Sequence, residues 1–191
     1  MKRIETLAHN LAPNFIGSWQ IEALELCDEI IDFFESNPEK HTAGKVSSGA
    51  GIGKKSTDLS VKPSQLKEEK FQLFDSYIKQ LYSCYKDYTK QWPFLERYKN
   101  LEISSFNVQR YENGDHFSKT HTERDAIHIY RLFAWMTYLN DVEDGGETIF
   151  PHYQVAVKPQ KGKTLIWPAE WTHAHFGEIV NQGPKYITVS Y

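Results

Sequence analysis

The chain has 191 residues, a formal net charge of −3, 40% hydrophobic and 25% charged residues, which is the profile of one soluble globular domain without a global basic field for nucleic acid. Two cysteines, Cys27 and Cys84, are too few for a disulfide framework or a zinc ribbon and fit a reducing compartment. Aromatic residues reach 14%, which predicts a β-rich core or an aromatic-lined pocket.

Residues 1–14 mix charged and polar side chains without an apolar core, so no signal peptide is expected. No apolar run approaches the roughly eighteen residues of a membrane span, so the expected location is the cytoplasm. Ile21, Leu24, Cys27, Ile31 and Phe34 recur at helical steps. They predict a helix capped by Ser18, with Glu22 and Glu25 in its first turns, stopped by Asn37-Pro38. A loop rich in Gly, Ser and Lys follows from His41 to Lys62, with a short strand near Thr57 to Val61. Gly51-Ile52-Gly53-Lys54-Lys55-Ser56 looks superficially like a phosphate loop. A Walker motif needs Gly where Ser48 stands, so nucleotide binding is not expected. A second helix is predicted from about Gln65 to Tyr88, capped by Ser64, with the stripe Phe71, Phe74, Ile78, Leu81, Tyr85 and Tyr88.

After Trp92-Pro93 the texture becomes β. Candidate strands are Leu101 to Tyr111, Arg131 to Asn140, Gln154 to Val157, Thr164 to Trp167 and Tyr186 to Tyr191, separated by turn signals such as Asp144-Gly145-Gly146 and Gln182-Gly183-Pro184. Many short strands at this spacing suggest a sandwich or jelly roll.

The chemistry-bearing pattern is His121-Thr122-Glu123, followed by His175 and then Lys185. Two imidazoles and one carboxylate form the facial triad that holds non-haem Fe(II) with open positions. Residues two apart on a strand point the same way, so His121 and Glu123 can reach one metal from one strand. His173, two residues before His175, is an alternative ligand or a supporting partner. Asp125, four residues from His121, fits a strand site less directly. His9, His41, His116, His128 and His152 show no such pattern.

These residues resemble the Fe(II)/2-oxoglutarate-dependent oxygenases, in particular the prolyl 4-hydroxylase-like branch. The resemblance covers roughly Asn107 to Tyr191. It runs through Arg110-Tyr111-Glu112-Asn113-Gly114, His121-Thr122-Glu123, Tyr138-Leu139-Asn140-Asp141-Val142, Gly145-Gly146-Glu147-Thr148, Phe150-Pro151, Val157-Lys158-Pro159, Lys161-Gly162, His175 and Lys185. It implies an α+β fold, a double-stranded β-helix (jelly roll) with N-terminal helices packed on the major sheet. A single domain over 1–191 is expected, with helical support in 1–92 and the core at about 101–191.

By the resemblance, His121, Glu123 and His175 ligate iron, Lys185 pairs with the distal carboxylate of 2-oxoglutarate, and Tyr111 and Thr148 help hold that co-substrate. Fe(II), 2-oxoglutarate and O2 are implied, with ascorbate as a candidate addition. The implied reaction hydroxylates a C–H bond, with a peptidyl proline or related amino acid first among substrates, releasing succinate and CO2. A peptide or small molecule is the expected partner, with no nucleic acid and no membrane. The chain departs from the family pattern in three places. Glu123 stands where the usual ligand is Asp. One extra residue separates Gly114 from His121, which a bulge can absorb. Tyr191 falls where many relatives carry Trp.

Arg124, Arg131, Trp135 and the loop at 44–56 are candidates for a substrate-facing rim, against a solvated edge and a core Trp. Two other functional classes stand beside the enzyme. One is a non-catalytic jelly-roll binding protein with a degenerate site, although a complete His, carboxylate, His and Lys set argues against decay. The other is a cupin-type protein of another metal, whose usual run of two nearby His followed by Glu is missing here.

Overall fold

The computed structural model describes residues 2–3, 13–45 and 53–190. His9, residues 46–52 of the glycine-rich loop, and Tyr191 lie outside the described residues. The elements are, in chain order, strands β1 (Lys2–Arg3) and β2 (Gly17–Gln20), helix α1 (Glu25–Glu35), strands β3 (Thr42–Ala43) and β4 (Thr57–Val61), and helix α2 (Gln72–Gln91). Strands β5 (Phe106–Tyr111), β6 (Phe117–His121), β7 (Phe133–Tyr138), β8 (Asp144–Gly145) and β9 (Thr148–Phe150) follow. The last are β10 (Val155–Val157), β11 (Lys163–Pro168), β12 (His175–Gly177), β13 (Val180–Gln182) and β14 (Lys185–Ser190).

All the pairings are antiparallel. One sheet runs β1-β2-β11-β7-β14-β5-β4-β3, a second runs β10-β9-β12-β6, and β13 pairs with β8. Alternation along each strand divides the large sheet into two faces. On one face, Phe106, Val108, Trp135, Ile166 and Tyr186 join a core with α1 and α2. Helix α2 meets this face through Tyr77, whose hydroxyl bonds Thr137 Oγ1 at 2.7 Å and Thr188 Oγ1 at 2.6 Å. On the other face, Tyr111, Met136, Tyr138 and Ile187 pack with Phe150, Val155 and Trp167 in a second core between the sheets.

The helices depart from the periodicity at their starts. Ser18 lies in β2 and caps nothing, because Gly17–Gln20 pairs with β11, and α1 begins only at Glu25. Its end at Glu35, just before Asn37-Pro38, is as expected. Ser64 likewise sits in a 3-10 turn over Pro63–Lys67, a second such turn covers Glu69–Phe71, and α2 begins at Gln72. Pairing to a neighbouring strand and the Pro-initiated turn outweigh the apolar period in both cases. The buried side of α2 is Phe74, Tyr77, Leu81, Cys84 and Tyr88, with Ile78 and Tyr85 only half-buried. Strand β4 falls on the expected Thr57–Val61, while β5 begins at Phe106 and leaves 101–105 as coil.

Candidate metal centre and co-substrate pocket

Strand pairing brings the two histidines together. Residues His175 and His121 face each other across β12 and β6. Between His121 and Phe117, β6 takes four steps against two on β12 from His175 to Gly177. Strand β6 is thus irregular over this interval, with two more residues than β12. Strand β6 ends at His121, so Glu123 does not follow it as a strand residue and stands in a bend. The i, i+2 strand argument is corrected here. Instead, the bend is tied down by Arg131, whose guanidinium donates to the Glu123 carbonyl at 2.9 Å, and by the Arg124 N–H to Ala169 O bond at 2.9 Å.

One ligand atom from each of His121, Glu123 and His175 lies within 4.8 Å of the others. Glu123 Oε1 is 3.6 Å from Nε2 of both imidazoles. His121 Nδ1 bonds Lys119 O at 2.8 Å, and His175 Nδ1 bonds His173 O at 3.0 Å. A carbonyl can only accept, so both Nδ1 atoms carry the proton and both Nε2 lone pairs face the shared space. The donor set, two neutral imidazole nitrogens and a carboxylate, fits a divalent iron-type ion with open positions. Burial pushes the His175 imidazole down to about 4, with the nearby His121 adding to the effect, so it stays neutral and able to ligate. Burial pushes the Glu123 carboxyl up, but the adjacent His121 and His175 imidazoles and the Arg131 guanidinium bring it below its usual range. Phe117 stacks on His121 at 3.8 Å, and Phe150 and Trp167 flank His175 at 5.4 and 5.1 Å. These rings fix the imidazoles sideways while the backbone carbonyls fix their rotation.

His173 is not a member of this group. It ends a 3-10 turn and its Nε2 bonds Asn14 O at 2.8 Å. Asp125 is also elsewhere engaged, since its Oδ1 accepts from the N–H groups of Ile127 and His128.

The trio borders a cavity of about 450 Å³. Lys185, Tyr111 and Thr148 line it as well. Lys185 pairs in register with Tyr111 on β5, and its ammonium lies 4.6 Å over the Tyr111 ring. It is only 3% exposed and donates to the Gly146 carbonyl at 3.0 Å. No carboxylate pairs with it among the described residues, and burial pulls it down to about 8, with Glu147 opposing. A buried cation bonded to a neutral carbonyl is half satisfied, and an incoming carboxylate would complete it. The Tyr138 hydroxyl donates to the Val157 carbonyl at 3.0 Å, which can only accept, so the Thr148 hydroxyl 2.7 Å away donates to Tyr138 and keeps its own oxygen as an acceptor. The Tyr111 hydroxyl donates to Gln109 Oε1 at 2.8 Å.

Sequence reading missed the other polar wall. Lys54 Nζ meets Asp58 Oδ2 at 2.8 Å, and both side chains are almost fully buried. Ser56 Oγ and Gln109 Nε2 also donate to that carboxylate. Lys54 further sits 5.4 Å over the Phe117 ring that stacks on His121. Only the two-residue alternation of Gln109 with Tyr111 hinted at this in the sequence. Of the rim candidates, Arg131 lines the cavity, as do Lys45 and Lys54 of the loop, whereas Arg124 pairs with Glu170 at the surface. Trp135 is corrected to a core residue, packed on Tyr77 and Phe106 across the sheet from the trio.

Comparisons with known proteins agree with this geometry. The 2OG-Fe(II) oxygenase superfamily model matches residues 106–191. Among curated proteins, the probable prolyl 4-hydroxylase 9 of Arabidopsis thaliana is 28% identical over 114 residues, covering 46% of this chain and 40% of that protein. The prolyl 4-hydroxylase subunit alpha-1 of Homo sapiens is 31% identical over 74 residues, 36% of this chain and 14% of that protein. The chain thus spans less than half the length of these relatives. Among solved structures, a Pseudomonas putida prolyl-4-hydroxylase aligns with TM-score 0.70 at 15% identity, over 94% of this chain and 92% of that one. A Trichoplax adhaerens prolyl hydroxylase in complex with a hypoxia inducible factor peptide fragment aligns with TM-score 0.69 at 15% identity, over 92% and 82%. These likenesses give the fold, a mostly antiparallel jelly roll of the prolyl hydroxylase kind. The matched stretch holds the metal trio and the buried lysine, and over it the chain is similar to the 2OG-Fe(II) oxygenase superfamily and to prolyl 4-hydroxylases.

Proposed function

We propose that the chain is an Fe(II)- and 2-oxoglutarate-dependent dioxygenase that hydroxylates a C–H bond, with a peptidyl proline as the substrate favoured by its relatives. The observation that carries this reading is the pairing of a three-donor centre with a buried lysine that has no acidic partner among the described residues, in the same cavity. In this reading His121, Glu123 and His175 hold the metal, Lys185 takes the distal carboxylate of 2-oxoglutarate, and Thr148 and Tyr111 add hydroxyls beside it. Iron with 2-oxoglutarate and O2 supplies the oxidising chemistry when bound, and ascorbate serves as reductant support. The residues of the chain orient and shield. Both Nδ1–H groups lock the imidazole faces, Glu123 offers its carboxylate from the tied bend, and the rings of Phe117, Phe150 and Trp167 keep the site dry.

The proposal treats 1–191 as one catalytic unit, with the helices of 1–92 bracing the large sheet and the jelly roll of about 101–191 holding the site. The cytoplasm suits its two buried free thiols, and no helix among the described residues is long and apolar enough to cross a membrane. The test is an anaerobic titration of metal-free protein with Fe(II) and then 2-oxoglutarate. A visible charge-transfer band that vanishes in His175→Ala supports the reading. Folded protein that binds Fe(II) yet gives no band overturns the co-substrate assignment.

A further inference from the structure

A second groove, of about 610 Å³, lies against the middle of α2. Tyr82 and Tyr85 of α2, Leu101 and Ile103 of the coil before β5, and Ile127 and Tyr130 of the segment after the metal ligands line it. Its lips are unusually apolar for surface. Tyr130 is 91% exposed, Ile127 80% and Tyr82 58%. Exposed large apolar side chains gathered on one groove mark an interaction site more often than scattered ones do. Two observations say what covers it. His128 and Arg131 line both this groove and the cavity of the metal trio, so the two lie on either side of the 128–131 segment. The cavity of the metal trio is also charged. Lys45, Lys54, Lys119, Arg131 and Lys185 line it against Asp58, Glu123 and Asp125, on a chain whose net charge is −3.

We propose that this groove anchors an apolar or aromatic stretch of a peptide substrate whose target residue sits at the metal centre and whose connecting residues are acidic. The inference rests on the dioxygenase reading above and names the chemistry of its substrate. Tyr130 and Ile127 take the apolar anchor, and the cationic side chains of the cavity take the acidic linker.

The experiment uses fluorescein-labelled peptides of about twenty residues and the Mn(II)-loaded full chain under anaerobic conditions, read by fluorescence anisotropy. One peptide carries a single proline, adjacent Asp residues and a Phe-Leu pair near one end. A second has the pair at the other end, and a third has Ser-Gly in its place. The wild type is expected to bind one Phe-Leu peptide about tenfold tighter than the Ser-Gly peptide, as burial of large apolar side chains predicts. Tyr130→Ser and Ile127→Ser, both at exposed positions, are expected to erase that preference while leaving peptide-independent conversion of 2-oxoglutarate to succinate unchanged. Equal binding of all three peptides by the wild type overturns the groove assignment, with or without turnover. Absence of 2-oxoglutarate turnover alongside a Tyr130-dependent preference keeps the groove and removes the catalytic reading. A concentration-dependent dimer in sedimentation that Tyr130→Ser abolishes assigns the groove to a second copy and overturns the proposal.

Discussion

His175 and His121 face each other across two antiparallel strands with ring centroids 4.4 Å apart, each with its Nδ1 bonded to a backbone carbonyl two residues earlier. His173 lies only two residues before His175, yet its Nε2 is spent on the carbonyl of Asn14. The two histidines should therefore separate cleanly by mutation. His175→Ala is expected to lower Fe(II) affinity at least about 100-fold and take turnover with it, a greater loss than the removal of a ligand's outer partner. His173→Ala is expected to keep metal binding and lose roughly 1–3 kcal/mol of stability, the cost of removing a buried hydrogen bond. Isothermal titration with Fe(II) and urea melts check both. Equal loss of metal in the two variants would place the second ligand at the wrong histidine.

Lys185 gives a pH prediction with a defined sign. Its ammonium is pulled by burial to about 8, from an ordinary value of 10.5. Between those values the unfolded chain binds the proton that the folded chain gives up, so stability rises with pH across this window. Below pH 8 the buried charge costs on the order of 3 kcal/mol. Lys185→Met is thus expected to raise stability at pH 7 and to remove the rise between 8 and 10.5 in thermal melts. The same substitution should abolish the 2-oxoglutarate charge-transfer band while Fe(II) still binds. In the wild type, 2-oxoglutarate affinity should weaken by up to about tenfold per pH unit above 8, because only the protonated lysine pairs with a carboxylate. A flat affinity profile from pH 7 to 9.5 would exclude Lys185 as that partner.

Much of the catalytic half was readable because its signals are local. The turn residues around Gly145-Gly146 and Gly162 adopt positive φ, as glycine permits, and β7, β10, β11 and β14 fall within a few residues of their apolar runs. His121, Glu123, His175 and Lys185 stood out by residue type and spacing. The rest depends on partners distant in sequence. Gly17–Gln20 is a strand because β11 is beside it, and no periodicity within 17–34 distinguishes strand from helix there. Strands of three residues such as Thr148–Phe150 and His175–Gly177 are too short to show alternation, yet they carry Thr148 and His175 into the site. Trp135 read as ambiguous because the sequence shows which residues share a face but not which face holds the metal. Nothing in the sequence joined Lys54 to Asp58, since burial of an ion pair leaves no mark in composition.

Glu123 stands past the end of β6, and its carbonyl is held by Arg131 while the next N–H is held by Ala169 O. With the backbone anchored on both sides, the carboxylate reaches the two Nε2 atoms by virtue of its extra methylene. Glu123→Asp, although it restores the residue usual in the family, should retract the oxygens by about 1.5 Å, one C–C bond. Fe(II) affinity is expected to fall roughly tenfold or more, since metal sites tolerate small errors in distance only. Arg131→Ala in the Glu123→Asp background is expected to recover part of the loss by freeing the bend. Equal Fe(II) affinity of Glu123→Asp and wild type in a competition titration would show that the bend adjusts on its own.

The Lys54–Asp58 pair is the least expected feature of the cavity, and its energetics can be separated from its role. Asp58 accepts from Lys54, Ser56 and Gln109, so its charge is fully solvated by protein, and Gln109 in turn accepts the Tyr111 hydroxyl. Removing only the anion leaves a buried ammonium without a counter-charge. Asp58→Asn is therefore expected to destabilise the chain by roughly 3–5 kcal/mol. Lys54→Met with Asp58→Asn removes both charges and should cost clearly less than the sum of the single changes, the mark of a coupled pair. The double variant also tests reach. Gln109 loses its acidic anchor, so the Tyr111 hydroxyl loses its fixed direction, and 2-oxoglutarate affinity should fall about two- to tenfold at unchanged Fe(II) affinity. Additive stability effects in urea titrations would show that the two charges do not depend on each other. Unchanged 2-oxoglutarate affinity would confine the network to stability and separate it from the co-substrate end of the cavity.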